Sequence, residues 1–251
     1  IDKMNFDRSI DSKKNSMATL QAALQIPYDE IKAKHIAEHS EIFNRVKLEI
    51  QADSPDSLST GKRLERLAEG AEDVGLEQLF FQYGRYLMMS SGMRRSVLPA
   101  SLQGIWSHKM WAPWESDFHL NINLQMNYWP VEVCNLPEAA LPLSKFMQGL
   151  AERGKVPAQK YIGSDGWMAH HATNSFGRVT PKGSYKQSQV ANGYCFPLGG
   201  AWMSLTLWRH YEFTKDEKYL RESVYPVIAG ASKFILDFLQ ENEKAELVTA
   251  P

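Results

Sequence analysis

The sequence predicts an all-α fold whose long loops carry the functional site. Three observations support this: apolar residues recur at helical spacing, strand-like alternation is scarce, and polar or Gly/Pro-bearing connections separate the periodic stretches. The clearest stretch is Leu76, Leu79, Phe80, Tyr83, Gly84, Leu87 and Met88, which keeps the i, i+3, i+4, i+7 rule of an amphipathic helix. Val227, Ile228, Ala231, Phe234, Ile235, Phe238 and Leu239 obey the same rule, entered through Tyr225-Pro226, where proline suits a first turn. Further helices are expected near Tyr28–Ile50, Glu138–Leu150 and Gly200–Phe213. No fixed repeat period appears, yet helices alternating with loops fit a barrel of helical hairpins.

Two stretches interrupt the helical pattern, Ser91–His119 and Tyr161–Pro197. Connections of that length inside a compact domain are usually lids or binding loops. Ile1–Ser16 reads as a linker, and the globular domain is expected over residues 28–251, leaving 1–27 as a linker segment.

Composition excludes several classes of function. Of the 251 residues, 43% are hydrophobic and 23% charged, enough for a sizeable core. Lys and Arg total 28 against 29 Asp and Glu, so a formal charge of -1 offers no field for gathering nucleic acid or acidic lipid. No run approaches the roughly 18 apolar residues of a membrane span, and the first residues lack a signal peptide's apolar stretch. Cys134 and Cys195 have no metal or redox spacing and read as plain buried thiols. No Gly-rich phosphate loop or Gly-x-Ser-x-Gly elbow occurs, so acid/base chemistry on a neutral substrate remains, with no metal and no cofactor expected.

The seven tryptophans (106, 111, 114, 129, 167, 202 and 208) cluster in the middle of the chain. Large aromatics line small-molecule pockets and equally fill cores, and for any single Trp the core is the commoner place. Among them runs the densest polar string, Trp111 to Pro130. In an extended segment, Asp117, His119, Asn121, Asn123, Gln125 and Asn127 share one face, with Phe118, Leu120, Ile122 and Leu124 opposite. That arrangement suits a pocket floor, and a solvated edge segment would look the same. His35 and His39 lie four apart but depart from the zinc-protease pattern, so a structural or surface role is expected. His170 and His171, with Thr173 and Asn174 after them, either hydrogen-bond a polyol ring or pack as neighbours.

Particular motifs carry a resemblance. Leu98-Pro-Ala-Ser-Leu-Gln-Gly-Ile-Trp106, Asn121-Ile-Asn123, Met126-Asn-Tyr-Trp-Pro130, Gly166-Trp-Met-Ala-His-His-Ala-Thr173, Gly199-Gly-Ala-Trp202 and Leu207-Trp-Arg-His-Tyr211 are similar to glycoside hydrolase family 95. The similarity runs from about Tyr28 to Pro251. It implies the first half of an (α/α)6 barrel of the six-hairpin glycosidase type, acting with inversion on α-L-fucosides or α-L-galactosides. It further implies that Asn121 and Asn123 hold the attacking water while a carboxylate elsewhere makes them better acceptors. An amide is no base, but its carbonyl can orient a water when a neighbouring acid accepts its NH2.

By the same resemblance His119 and Trp202 contact the sugar, and His171 and Thr173 lie in a loop motif that usually reads His-His-Asn-Thr-Asp. This chain has Ala172 and Asn174 there. The family's general-acid glutamate falls just past Pro251, so these residues are expected to be a fragment, inactive alone, completed by the remainder of the chain. A glycan substrate and a periplasmic or extracellular location are also implied. A carbohydrate-binding barrel without catalysis is the alternative, and a helical scaffold for protein partners a third reading.

Overall fold

The computed structural model describes residues 9–51, 57–93, 96–181 and 195–249. The fold is all-α, and the chain divides into two compact units, one ending at Met89 and the other running on from Ser90.

The first unit contains α1 (Ser12–Leu24), α2 (Tyr28–Phe43), α3 (Thr60–Ala68) and most of α4 (Val74–Gly92). Helix α1 lies within the stretch expected as a linker. Asp11 caps it by accepting from the Lys14 amide at 2.9 Å, and none of its residues is buried. Helix α2 stops at Phe43, earlier than the expected Ile50. Its last carbonyls are taken up by Arg85 of α4, which donates Nη1 to Phe43 O at 2.8 Å and Nη2 to Ile42 O at 3.1 Å. A cation on the orphan carbonyls at a helix C-terminus is favourable on both hydrogen-bond and dipole grounds. Arg63 and Asp73 form a buried bidentate pair at 2.6 and 2.8 Å, and Asp73 also accepts from the Leu76 amide at the start of α4. His35 and His39 stack at 6.2 Å between centroids and His39 lies on Phe43 at 5.1 Å, a packing arrangement.

The second unit begins with an irregular stretch that includes a 3-10 turn, Pro113–Ser116, and reaches β1 (Phe118–His119). It continues through α5 (Asn123–Tyr128), α6 (Pro130–Val133), α7 (Ala140–Ile162), β2 (Ala172–Thr173), α8 (Gly199–Thr214), α9 (Glu217–Tyr219), a π turn at Leu220–Val224, α10 (Tyr225–Phe238) and a terminal hairpin of β3 (Gln240–Glu241) and β4 (Leu247–Val248). As expected, Pro226 sits in the first turn of α10. Helix α7 is longer than expected. It runs through Glu152-Arg-Gly-Lys155 and Pro157 and ends at Gly163, whose φ of 71° gives the left-handed cap. The second long loop therefore starts at Gly163, and its residues 182–194 lie outside the described residues.

Helices α7, α8 and α10 pack on one another around Trp167. Its indole, 2% exposed, lies against Gly154 of α7, Gly200 of α8 and Gly230 of α10, where an added Cβ would come within 3.0, 2.4 and 2.8 Å of ring atoms. The indole N–H donates to Val227 O at 2.8 Å, so the one polar atom of the wedge is satisfied. Most other tryptophans contradict the core expectation: 106, 111, 114, 129 and 208 are exposed and Trp202 is half-buried. Cys134 is buried as expected, but Cys195 is exposed, because it lies in the irregular approach to α8 rather than on a packed face. No helix among the described residues is long and apolar enough to cross a membrane.

Candidate functional site

The polar string expected as one extended floor is extended only at its start. Phe118 and His119 form β1, paired antiparallel with β2 in the register Phe118 to Thr173 and His119 to Ala172. The Leu120 amide then donates to His171 O at 2.5 Å, and from Asn123 onward the chain is helical. The single polar face from 117 to 127 does not form. Leu120, Leu124 and Tyr128 turn inward together, and Gln125, expected on the open face, is 1% exposed, with its Nε2 donating to Leu120 O at 2.7 Å.

Asn121 is exposed in the short connection after β1, and Asn123 is half-buried as the first residue of α5. Neither carboxamide is hydrogen-bonded to another described residue. His119 and His171 are brought together by the ladder, their rings meeting edge to face at 6.0 Å between centroids. The adjacent histidines part company: His170 is buried, its amide donates to Val179 O, and its Nδ1 accepts from the Phe196 amide at 3.1 Å. Burial, with a smaller contribution from neighbouring His171, pushes His170 down to about 4, so it is neutral at physiological pH with its proton on Nε2. Thr173 is fully enclosed, and its Oγ1 has no hydrogen-bond partner among the described residues.

Trp202 lies in the first turns of α8, whose start is pinned to this ladder. The Gly200 amide donates to Ala169 O at 3.2 Å, and a Cβ on Gly199 would sit 2.9 Å from His170 O. Trp202 lines a concavity of about 290 Å³ between α8 and α10, with Leu198, Leu205, Ile228 and Ile235. The structure thus joins His119, His171 and Thr173 through one two-stranded ladder. It sets Asn121 and Asn123 directly after that ladder and places Trp202 on the helix seated against it.

Two linkages were not foreseen. Asp117, just before β1, pairs with Arg178 beyond β2 at 3.3 Å, tying the two approaches to the ladder together. Tyr128 accepts from the Ala100 amide at 3.1 Å, fastening the Met126–Pro130 motif to the Leu98–Trp106 motif, and burial pushes its phenol above the usual range.

The second unit is an all-α domain in which one short ladder brings His119 and His171 together, with Asn121 and Asn123 just beyond it in the chain, while the Trp202 side chain lines the separate concavity between α8 and α10. Comparison with known proteins agrees: residues 27–251 match the glycosyl hydrolase family 95 catalytic domain, and the chain belongs to that family. It is 35% identical to "Alpha-L-fucosidase 2" of Arabidopsis thaliana over 253 residues, covering 99% of this chain and 29% of the relative. It is 34% identical to "Probable alpha-fucosidase A" of Aspergillus niger over 231 residues, covering 90% of this chain and 28% of the relative. The chain therefore spans less than a third of the length of these curated relatives.

Proposed function

We propose that this chain supplies part of the active site of an inverting glycoside hydrolase that removes terminal α-L-fucosyl or α-L-galactosyl residues. Asn121 and Asn123 hold the attacking water, and His119, His171, Thr173 and Trp202 bind the sugar. The substrate is an oligosaccharide or glycan, met in the periplasm or outside the cell. One observation carries this reading: two asparagines without hydrogen-bond partners among the described residues directly follow a ladder that sets His119 against His171. The printed names of both relatives favour a fucoside.

In chemical terms, each amide carbonyl accepts a hydrogen bond from the water and fixes its lone pair toward the anomeric carbon, and a carboxylate that accepts from the amide NH2 takes up, by relay, the proton the water loses as the new C–O bond forms. Inverting enzymes need room for that water opposite the leaving group, which a separate acid protonates. The histidines and Trp202 orient the ring so that the water attacks one face only.

The decisive experiment is Asn123→Ala in the full-length protein, with kcat and KM measured on an α-L-fucoside. Turnover is expected to fall by about 10²–10⁴-fold, the usual contribution of a positioned acid/base group, with KM little changed. Unchanged turnover would remove Asn123 from the mechanism. Proton NMR of the first product should show β-L-fucose, and an α product would overturn inversion. Fucose binding by calorimetry without any turnover would favour a non-catalytic binding domain.

A further inference from the structure

Leu120 stands between the ladder and the two asparagines, and it is held from three directions. Its amide donates to His171 O at 2.5 Å, and its carbonyl accepts from Gln125 Nε2 at 2.7 Å. Its side chain is fully enclosed and meets α8, where a Cβ on Gly199 would come within 3.0 Å of Leu120 Cβ. The first and third of these hold Leu120 to the ladder and to α8. The second closes a loop over Leu120 to Gln125, and Asn121 and Asn123 both lie inside that loop.

Helix α5 would not fix the asparagines unaided. It is six residues long and no side chain caps its start. A helix so short is marginal without tertiary contacts. Gln125 ties its first turn back to the end of β1. Residues two apart on a helix point to opposite sides, so Gln125 reaches inward to Leu120 while Asn123 is left only half-buried.

Stability does not account for a glutamine here. The side chain is 1% exposed and its Oε1 has no partner among the described residues. Leu120 O can only accept, so the amide NH2 must face it and Oε1 is left unsatisfied on the other side. A buried carbonyl without a partner costs about as much as a neighbouring hydrogen bond contributes. An apolar side chain of similar size would fill the same space without that cost.

We infer that Gln125 is a positioning residue for the proposed hydrolysis: through Leu120 O it fixes the backbone that carries Asn121 and Asn123, and with it the place of the water they hold. This rests on the glycosidase reading above. It requires of position 125 a donor that reaches Leu120 O.

The test compares the full-length wild-type protein with Gln125→Met and Gln125→Glu on a fucosylated trisaccharide. Methionine keeps the volume, and it removes the orphan Oε1 as it frees Leu120 O, so its unfolding midpoint should lie within about 4 °C of wild type. Its kcat is expected to fall at least about tenfold with KM within about twofold, since misplacing the water disturbs the reacting geometry more than the grip on the sugar. Glutamate can donate to Leu120 O only while protonated, a form that burial favours. Relative to wild type at the same pH, Gln125→Glu should therefore be faster at about pH 5 than at about pH 8; His119, His171 and Asp117 titrate in both proteins, so the ratio isolates position 125. A methionine variant as fast as wild type, a fall in kcat accompanied by a midpoint lowered by more than about 10 °C, or a glutamate variant equally slow at both pH values would each overturn the assignment. Amide hydrogen exchange over residues 120–123 needs no substrate and is expected to quicken at least about tenfold in Gln125→Met; unchanged exchange would also overturn it. A wild type that does not hydrolyse the trisaccharide would defeat the hydrolase reading, and the exchange would still decide whether Gln125 holds this segment.

Discussion

Glu132 and His210 meet at 2.7 Å between Oε1 and Nδ1, both side chains only 7% exposed. The pair joins α6, which continues the helical run opened by Asn123, to α8, which carries Trp202. The ring of Tyr219 stands edge-on to His210 at 4.7 Å, its hydroxyl meets that of Ser144 on α7, and burial pushes its phenol up to about 12. The helices bearing the candidate site are thus fastened at their far ends by a buried polar cluster. Removing one partner leaves a buried polar group unsatisfied, so Glu132→Ala is expected to cost about 1–3 kcal/mol. Glu132→Gln, whose carbonyl still accepts from an Nδ1–H, should cost less. Urea unfolding of both variants checks this, and equal losses would show that the hydrogen bond contributes nothing.

The slot around Trp167 makes a sharper demand. A methyl at Gly200 would approach the ring to 2.4 Å, and one at Gly166 would approach the Phe234 backbone nitrogen to 2.3 Å. Helix propensity alone would favour alanine over glycine at position 200 by about 1 kcal/mol. Overpacking wins instead, because the ring is held on three helices and cannot yield without moving one of them. Gly200→Ala is expected to destabilise by about 1–3 kcal/mol, and Trp167→Ala by about 3–5 kcal/mol through the cavity it leaves. Thermal unfolding that placed Gly200→Ala above wild type would show that the slot has room.

The sequence signals that proved legible were those with one period and one interpretation. Helices α4 and α10 were readable because their apolar residues satisfy the helical rule and no other. The string from 117 to 127 was ambiguous, since alternation at every second residue also contains every fourth. Leu120, Leu124 and Tyr128 form that second series, and all three are buried. Helix α7 continues past Leu150 through a polar turn and Pro157, where apolar periodicity fades, and Gly154 in that turn is where Trp167 packs. Asp117 and Arg178 could not have been paired by pattern, being 61 residues apart with no local periodicity to relate them. The motifs located the candidate residues; the ladder that sets His119 beside His171 is a tertiary fact.

His170 should impose a pH dependence on stability. Its folded pKa is lowered to about 4, against 6.5 for the free side chain, so the unfolded chain binds the extra proton between those values. Where the unfolded state binds more protons, stability rises with pH. His170 therefore adds no pH dependence above about 6.5, and stability falls progressively as pH drops from there to about 4. His170→Gln removes the titrating group, and the unfolding midpoint should then fall less steeply across that window. An unchanged profile would mean that the ring is solvated and titrates normally.

Thr173 separates a sugar-binding hydroxyl from a merely enclosed one. Its Oγ1 is buried without a hydrogen-bond partner among the described residues, and its backbone is held in the ladder opposite Phe118. Valine has nearly the same shape, and exchanging an unsatisfied buried hydroxyl for a methyl relieves a desolvation penalty of about 1–3 kcal/mol. Thr173→Val should therefore unfold no earlier than wild type. If the hydroxyl reaches substrate when the sugar is bound, the same variant of the full-length protein raises KM several-fold while its stability holds. A stability loss above about 1 kcal/mol would reveal an internal partner, and an unmoved KM would take Thr173 out of the sugar site. The two measurements are independent, because the substitution leaves the ladder's backbone hydrogen bonds in place.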